Sequence, residues 1–223
     1  MHVVVNAATS VDGKLSTRRR EQVEISGAED FDRVDRLRAE SDAVMVGVGT
    51  VVADDPSLTV KHPELRDRRE RRGDPPNPAR VVADSRVRTP PDAAVLDDAA
   101  ATYLLVADAA PADFVEEMSD SGATVIPAGD DRVDLGAALA ELEATGIDRL
   151  LVEGGGELIF SLFAAGLVDE LSVYVGPVLI GGRDAPTLAD GDGFVDSFPA
   201  LELDSVDRAD GGVVLTYDVA GRA

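Results

Sequence analysis

The apolar residues of the chain form short continuous runs, which alternate over most of its length with apolar residues spaced three or four apart. Continuous runs predict buried strands, and the wider spacing predicts amphipathic helices packed on them. The predicted strands are residues 3–8, 43–46, 80–83, 103–106, 123–126 and 150–152. The predicted helices include residues 26–37, opened by a capping box at Ser26–Glu29, and 48–53, 111–118 and 135–144. Such alternation is typical of βα units around a parallel sheet.

The pattern changes after a last helix that carries Leu158 and Phe163. Strand-like runs at 171–175, 201–203 and 213–217 then follow without long helices between them, which predicts antiparallel additions. We therefore expect one α/β domain over residues 1–223, with a mixed, mostly parallel sheet flanked by helices and antiparallel strands at the C-terminal end.

One segment, residues 62–79, does not fit this alternation. An arginine-rich run at 66–72 is followed by a glycine- and proline-rich run at 73–78. We predict an exposed Arg/Pro-rich surface loop here. An anion-binding arm is the alternative, although the acids between the arginines weaken it.

Composition excludes several classes of function. The 43 acidic and 21 basic residues give a net charge of −22, which argues against nucleic acid and anionic membranes as partners. There is no cysteine, there are two histidines, and no run reaches the ~20 apolar residues of a membrane span. We expect no metal site, no secretory leader and a cytoplasmic location. The scarcity of lysine beside many acids is typical of a cytosolic protein adapted to high salt.

Two glycine-containing turns each join a predicted strand to a helix. They are Gly47-Val48-Gly49-Thr50 and Gly154-Gly155-Gly156-Glu157. Backbone N–H groups at such a helix start suit phosphate. Either turn alone is equally compatible with a tight connection, but two in one α/β chain favour a dinucleotide.

Five further residues carry candidate chemistry. Ser85 and Arg86 follow the strand at 80–83, where a hydroxyl and a cation favour NADP over NAD, or form an ordinary solvated turn. Lys14 and Lys61 are the only lysines, and their retention points to an anion or a reacting group, or to chance. Glu153 ends the strand at 150–152, at the edge where α/β sheets carry ligands, although pairing with Arg149 is also possible.

Six stretches carry a resemblance to a known family. They are residues 9–15, 37–60, 81–85, 151–156, 166–170 and 176–182. In this order they resemble the reductase of riboflavin biosynthesis, which occurs alone or as half of a bacterial deaminase–reductase. The resemblance implies a dihydrofolate-reductase-like fold and NADPH as cofactor. It also implies hydride delivery to C1′ of the ring-opened imine of a ribosylamino-pyrimidinone 5′-phosphate.

The resemblance also implies roles for single residues. The implied NADPH contacts are Thr50, Asp54, Ser85, Arg86, Gly154, Gly155, Gly156 and Glu157. The implied substrate contacts are Arg38 and Lys61 at the phosphate, and Leu58 and Glu153 at the pyrimidinone. Lys14, Asp12 and Glu153 all remain candidates for the group that supplies a proton. Glu157 departs from the family, which commonly has a small or hydroxyl residue there. Relatives associate as dimers, so a homodimer is expected.

The absence of cysteine excludes a zinc-dependent deaminase half. We therefore expect reduction to precede deamination, with the 2,5-diamino compound as substrate. Two alternatives remain, a dihydrofolate-type pterin reductase and a non-catalytic NADP-binding sensor. A pterin needs no phosphate-binding cation, so Lys61 argues against the first, and a sensor has no use for Lys14 and Glu153.

Overall fold

The computed structural model describes residues 1–221, which divide into two compact units. The first unit contains Met1 and Asp35–Leu151, and the second contains His2–Val34 and Val152 onwards. We describe each unit by itself.

The first unit is built on parallel strands. Strands β2 (Ala43–Gly47), β3 (Ala79–Ala83), β4 (Thr102–Val106) and β5 (Thr124–Pro127) pair in parallel in that order, and β6 (Arg149–Val152) belongs to this unit up to Leu151. The helices are the C-terminal part of α1 (Ala28–Glu40), from Asp35 on, and α2 (Val48–Asp54), α3 (Pro63–Arg72), α4 (Ala112–Asp120) and α5 (Leu135–Ala144), with a short 3₁₀ turn at Ala94–Leu96. The central strand residues are buried on both faces, as expected for a parallel sheet covered by helices.

The second unit contains parallel and antiparallel pairs. Strand β1 (His2–Ser10) pairs in parallel with β7 (Glu170–Gly176), and β7 pairs antiparallel with β9 (Gly212–Ala220). Strand β8 (Ala200–Ala209) pairs antiparallel with β9, and helix α6 covers Gly156–Ala164. The two units confirm the predicted α/β class, with mostly parallel strands and antiparallel strands at the C-terminal end.

The prediction of a surface loop at 62–79 was wrong for Pro63–Arg72, which form helix α3, and for Ala79, which begins β3, whereas residues 73–78 between them contain no helix or strand. The residue that α3 turns inward is Arg69, which is 3% exposed. Its guanidinium donates to the carbonyls of Ala39 and Ser41 at the C-terminal end of α1, where the helix dipole favours a cation. A helix whose buried face carries an arginine has no apolar spacing for sequence reasoning to detect.

The start of α1 also differs from its prediction. The cap is the carboxylate of Asp210, from the β8–β9 turn, which accepts from the N–H groups of Gly27, Glu29 and Asp30 at 3.1, 3.3 and 2.8 Å. A Cβ on Gly27 would lie 2.7 Å from that carboxyl group, so a larger residue at this position would displace the capping carboxylate. The predicted capping box is thus replaced by a residue about 180 positions away.

Candidate active site

In the first unit, three groups that can donate hydrogen bonds converge on one point. The ammonium of Lys61 donates to Ser57 Oγ at 2.6 Å and to Thr59 Oγ1 at 2.9 Å, and the two hydroxyl oxygens are 3.1 Å apart. Lys61 is exposed. We call Ser57, Thr59 and Lys61 the Lys61 triad. One cation with two hydroxyls is a donor set suited to a phosphate group.

Two side chains of helix α1 hydrogen-bond to the main chain of residues 59–62, which carries part of the triad. The buried carboxylate of Asp35 accepts from the N–H of Lys61 at 2.7 Å and from that of His62 at 2.8 Å. One turn further along α1, the guanidinium of Arg38 donates to the Thr59 carbonyl at 3.1 Å. The structure thus brings together Arg38 and Lys61, the two predicted phosphate contacts.

Leu58, between the triad hydroxyls, is 1% exposed and has a left-handed backbone with φ of 51°. A non-glycine residue in this region costs on the order of 1 kcal/mol and persists only where surrounding contacts hold it. One such contact comes from Arg80, a wholly buried residue whose Nε donates to the Ser57 carbonyl at 3.0 Å. The structure therefore shows a fixed backbone at Leu58, whose contact with the substrate stays a prediction.

In the second unit, a tight turn carries Asp12 and Lys14. The Asp12 carboxylate accepts from Ser10 Oγ at 2.6 Å and from the N–H groups of Ile180 and Gly181 at 3.0 and 2.7 Å. The Ser10 bond, followed by the Ile180 bond, lowers the pKa of Asp12 to about 2. Asp12 is therefore ionised near neutral pH and acts as an acceptor, which argues against it as the proton donor.

Lys14, in the same turn, has a side chain that contacts a different residue from those bound by Asp12. Its ammonium donates to the Ala185 carbonyl at 3.2 Å, and the residue is half-buried. An ammonium held by a neutral carbonyl keeps further protons available for a second acceptor. Lys14 and Glu153, which is half-buried at the end of β6, remain the candidates for the proton donor.

The turn between β6 and α6 has the backbone that its glycines predict. Gly154 has φ of 123°, a region that favours glycine, and the peptide bond that follows it is cis. Gly155 caps α6 without a side-chain acceptor, so the first N–H groups of the helix are left for another acceptor. A Cβ on Gly156 would collide with the Thr187 carbonyl oxygen, whereas Glu157 is exposed in the first turn.

The other two predicted cofactor segments are in the first unit. Gly47 caps α2 without a side-chain acceptor; within that seven-residue helix Thr50 is half-buried and Asp54 exposed. After β3, Ser85 Oγ accepts from the Val133 N–H at 3.1 Å, and Arg86 is exposed.

Sequence reasoning missed several residues that shape these segments. They are Asp35, Ser57, Thr59, Arg80 and Asp84. Asp84 is wholly buried at the end of β3, where one carboxylate oxygen accepts from the N–H groups of Arg88 and Thr89 and the other has no partner. The hydroxyls could have been found from their positions two and four residues before Lys61. Asp35 and Arg80 act over distances that no local pattern reveals.

Comparison with known proteins decides the family. The family model described as the RibD C-terminal domain matches residues 1–215, and so takes in residues of both units. The chain belongs to the RibD C-terminal domain family.

No group of three or more His, Cys, Asp or Glu side chains within residues 1–221 is placed to hold a metal ion. Nor does any helix in that range have the length and apolarity needed to cross a membrane.

Two relatives match nearly end to end. A protein of Archaeoglobus fulgidus is 49% identical over 215 residues, which is 96% of each chain. One of Methanothermobacter thermautotrophicus is 46% identical over 203 residues, covering 91% of this chain and 90% of the relative. Both are named 2,5-diamino-6-ribosylamino-4(3H)-pyrimidinone 5′-phosphate reductase.

Solved structures show the same fold at lower identity. A pyrimidine reductase-like protein from Corynebacterium diphtheriae superposes with a TM-score of 0.84 at 20% identity, over 99% of this chain and 92% of its own. RibD from Acinetobacter baumannii gives 0.78 at 24% identity, over 99% of this chain and 58% of its own. Proteins with this fold thus include longer chains such as RibD, of which this chain spans a little over half.

Proposed function

We propose that this protein is an NADPH-dependent reductase that converts 2,5-diamino-6-ribosylamino-4(3H)-pyrimidinone 5′-phosphate into the ribitylamino compound. The observation that carries the proposal is the end-to-end identity of 46–49% with two relatives that bear this name. The Lys61 triad supports it, because a phosphorylated substrate needs such a donor set.

The chain contains residues that suit a dinucleotide. The α6 start has N–H groups without a side-chain cap, and the position of Gly156 has no room for a side chain. We assign Gly154–Glu157 to the pyrophosphate, Thr50 and Asp54 to the phosphates and ribose, and Ser85 with Arg86 to the adenine-side phosphate. A phosphate at that last position is the reason for proposing NADPH rather than NADH. When bound, the cofactor supplies a hydride for C1′ of the ring-opened imine.

Substrate binding is assigned to residues of different chemistry. Arg38 and the Lys61 triad hold the 5′-phosphate, since together they offer two cations and two hydroxyls. Glu153 accepts hydrogen bonds from the N–H edge of the pyrimidinone. Leu58 contributes a fixed backbone beside the triad hydroxyls.

Reduction of an imine leaves an electron pair on its nitrogen, so a proton must reach that atom as C1′ gains its new hydrogen. We assign this proton to Lys14 Nζ, because Asp12 is ionised and accepts three hydrogen bonds, whereas the Lys14 ammonium donates to the Ala185 carbonyl and has further protons to give. The alternative donor is the carboxyl group of Glu153. Donation by a positioned acid typically contributes 10²- to 10⁴-fold in rate.

We also propose a homodimer, a cytoplasmic location and adaptation to high salt. Apolar side chains are exposed in strand β8 and just before it, at Phe198, Leu201, Leu203 and Val206. A second copy of the chain would cover them. The net charge of −22 favours folding where salt screens repulsion. Sedimentation at molar salt should give twice the mass of the chain, and sedimentation as a monomer would contradict the dimer.

The function is tested by following NADPH oxidation at high salt with four compounds. They are the proposed substrate, its deaminated counterpart, its dephosphorylated form and dihydrofolate. We expect the highest kcat/KM with the 2,5-diamino phosphate. Faster turnover of dihydrofolate would identify a pterin reductase instead. Cofactor binding without turnover of any compound by a folded sample would favour a sensor.

A further inference from the structure

Asp35 is a buried carboxylate to which the proposed reaction gives no role. It lies on α1 and is 4% exposed. One oxygen accepts from the Lys61 N–H at 2.7 Å, and the other accepts from the His62 N–H at 2.8 Å. A carboxylate on one element thus holds two consecutive N–H groups of another, about 26 residues further along the chain.

These two bonds fix the base of the Lys61 side chain. Four flexible methylene groups separate the main chain from the ammonium, and ordering them costs about 2 kcal/mol of rotamer entropy. The hydroxyls of Ser57 and Thr59 fix the other end of the side chain. Because both ends are held, the ammonium is ordered before an anion arrives.

Asp35 is on the same helix as Arg38, the second cation that we assign to the phosphate. Arg38 is one helical turn after Asp35, and it donates to the Thr59 carbonyl at 3.1 Å. Helix α1 therefore contacts the segment 59–62 at two points. Both cations take their positions from the same rigid helix, which sets the geometry available to a phosphate.

The charge of Asp35 makes a purely electrostatic role unfavourable. A carboxylate near an anion site repels the anion, since like charges raise the free energy of binding. Replacing Asp35 by a neutral residue should, on charge alone, strengthen phosphate binding. A role in positioning Lys61 predicts the opposite sign.

We propose that Asp35 is a positioning residue that sets the preference for a phosphorylated substrate by fixing the main chain at Lys61. The proposal rests on the proposed function, in which Lys61 contacts the 5′-phosphate. It assigns to Asp35 no contact with substrate or cofactor.

The test compares Asp35→Asn with Asp42→Asn in the full-length enzyme. Asp42 is a matched control, because its carboxylate also accepts from two consecutive N–H groups, those of Asp148 and Arg149, at 2.9 and 2.7 Å. The KM and kcat of each variant are measured with the phosphorylated substrate and its dephosphorylated form. Should Asp35→Asn not fold, Asp35→Glu takes its place, since one extra methylene displaces the acceptor without removing the charge.

We expect Asp35→Asn to raise KM for the phosphorylated substrate about tenfold, the effect of weakening one charge-assisted contact. Its KM for the dephosphorylated form and for NADPH, and its kcat, should stay within about twofold of wild type. Asp42→Asn should keep the wild-type ratio of the two KM values. A merely structural role for Asp35 would change all these constants together.

Binding of inorganic phosphate, measured by its effect on thermal unfolding, provides a readout that does not depend on turnover. Asp35→Asn should lose phosphate stabilisation that Asp42→Asn retains. If wild type does not distinguish the phosphorylated from the dephosphorylated compound, the phosphate role of Lys61 and the proposed function fail. If wild type distinguishes the two compounds and Lys61→Met raises KM for the phosphorylated one, but Asp35→Asn keeps wild-type selectivity or binds phosphate more tightly, the inference about Asp35 is overturned.

Discussion

The only two lysines of the chain are held in contrasting ways. The Lys61 ammonium is exposed and bonded to two hydroxyls, while a carboxylate from α1 fixes its main chain. The Lys14 ammonium is half-buried and bonded to one carbonyl, that of Ala185. Hydroxyls can turn to donate to an arriving anion, whereas a carbonyl can only accept. This difference is the reason why the proposed function gives anion binding to Lys61 and proton donation to Lys14.

The acids near the two lysines act alike, although they hold different segments. Asp35 holds the segment that contains Lys61, whereas Asp12 precedes Lys14 by two residues and reaches out to Ile180 and Gly181. In each region the carboxylate organises backbone N–H groups, and the lysine ammonium bonds to neutral oxygens. A lysine that is not neutralised by a direct ion pair keeps its charge for a ligand.

Removing the Lys14 ammonium should have the largest effect. We expect Lys14→Met to lower kcat by about 100-fold or more, because the nitrogen of the reduced imine loses its proton source. KM for the phosphorylated substrate should change little. The measurement is steady-state kinetics across pH, with Glu153→Gln assayed in parallel. A larger loss of kcat in Glu153→Gln than in Lys14→Met would identify Glu153, and not Lys14, as the proton donor.

Removing the Lys61 ammonium should act on binding instead. We expect Lys61→Met to raise KM for the phosphorylated substrate roughly 10- to 100-fold, the effect of one hydrogen bond to a charged group. The kcat value and the KM of the dephosphorylated form should be nearly unchanged. If Lys61→Met and Lys14→Met produced the same pattern, the contrast between the two lysines would be wrong.

The hydroxyls of the triad should contribute less than the cation. Ser57→Ala and Thr59→Val each remove one neutral donor, and we expect a rise in KM of about two- to tenfold for the phosphorylated substrate. Thermal unfolding of both variants provides the control for folding. No change in KM for either variant would mean that the hydroxyls only support Lys61 and do not reach the phosphate.

The smallest effect concerns the stability contributed by Asp12. Its pKa falls from 3.8 to about 2 on folding, so the unfolded chain takes up the proton first as the pH drops. The stabilisation is complete above about pH 4 and is lost as the pH falls towards 2. The difference in free energy of unfolding between wild type and Asp12→Asn, measured by denaturant titration, should shrink over this window. A difference that does not vary with pH would contradict the hydrogen-bonded carboxylate.

The strand pattern and the glycine turns could be predicted from the sequence because their signals are local. Runs such as residues 43–46 are apolar on both faces, and helix α5 was predicted with its observed bounds. Helix α3 could not be found, since Arg69 occupies its buried face and hydrogen bonds to α1 replace apolar contact. The cap of α1 by Asp210 is equally non-local.

The residues of the candidate site also divide into those that the sequence could predict and those that it could not. The scarcity of lysine drew attention to Lys14 and Lys61, and the family resemblance added Arg38. The residues that position them, Asp35 and Arg80, are ordinary charged residues in sequence and acquire their roles from contacts made across the fold. Only a structure shows that Asp12 is engaged by backbone N–H groups, which argues against it as the acid.

The most direct test of the proposed reaction follows a labelled hydrogen. NADPH that carries deuterium at the transferred position is incubated at high salt with the 2,5-diamino phosphate, and the product is examined by mass spectrometry and NMR. The proposed reaction predicts one deuterium per ribityl chain, located at C1′. A reduced product without deuterium at C1′, or cofactor oxidation without a ribityl product from a folded sample, would contradict it.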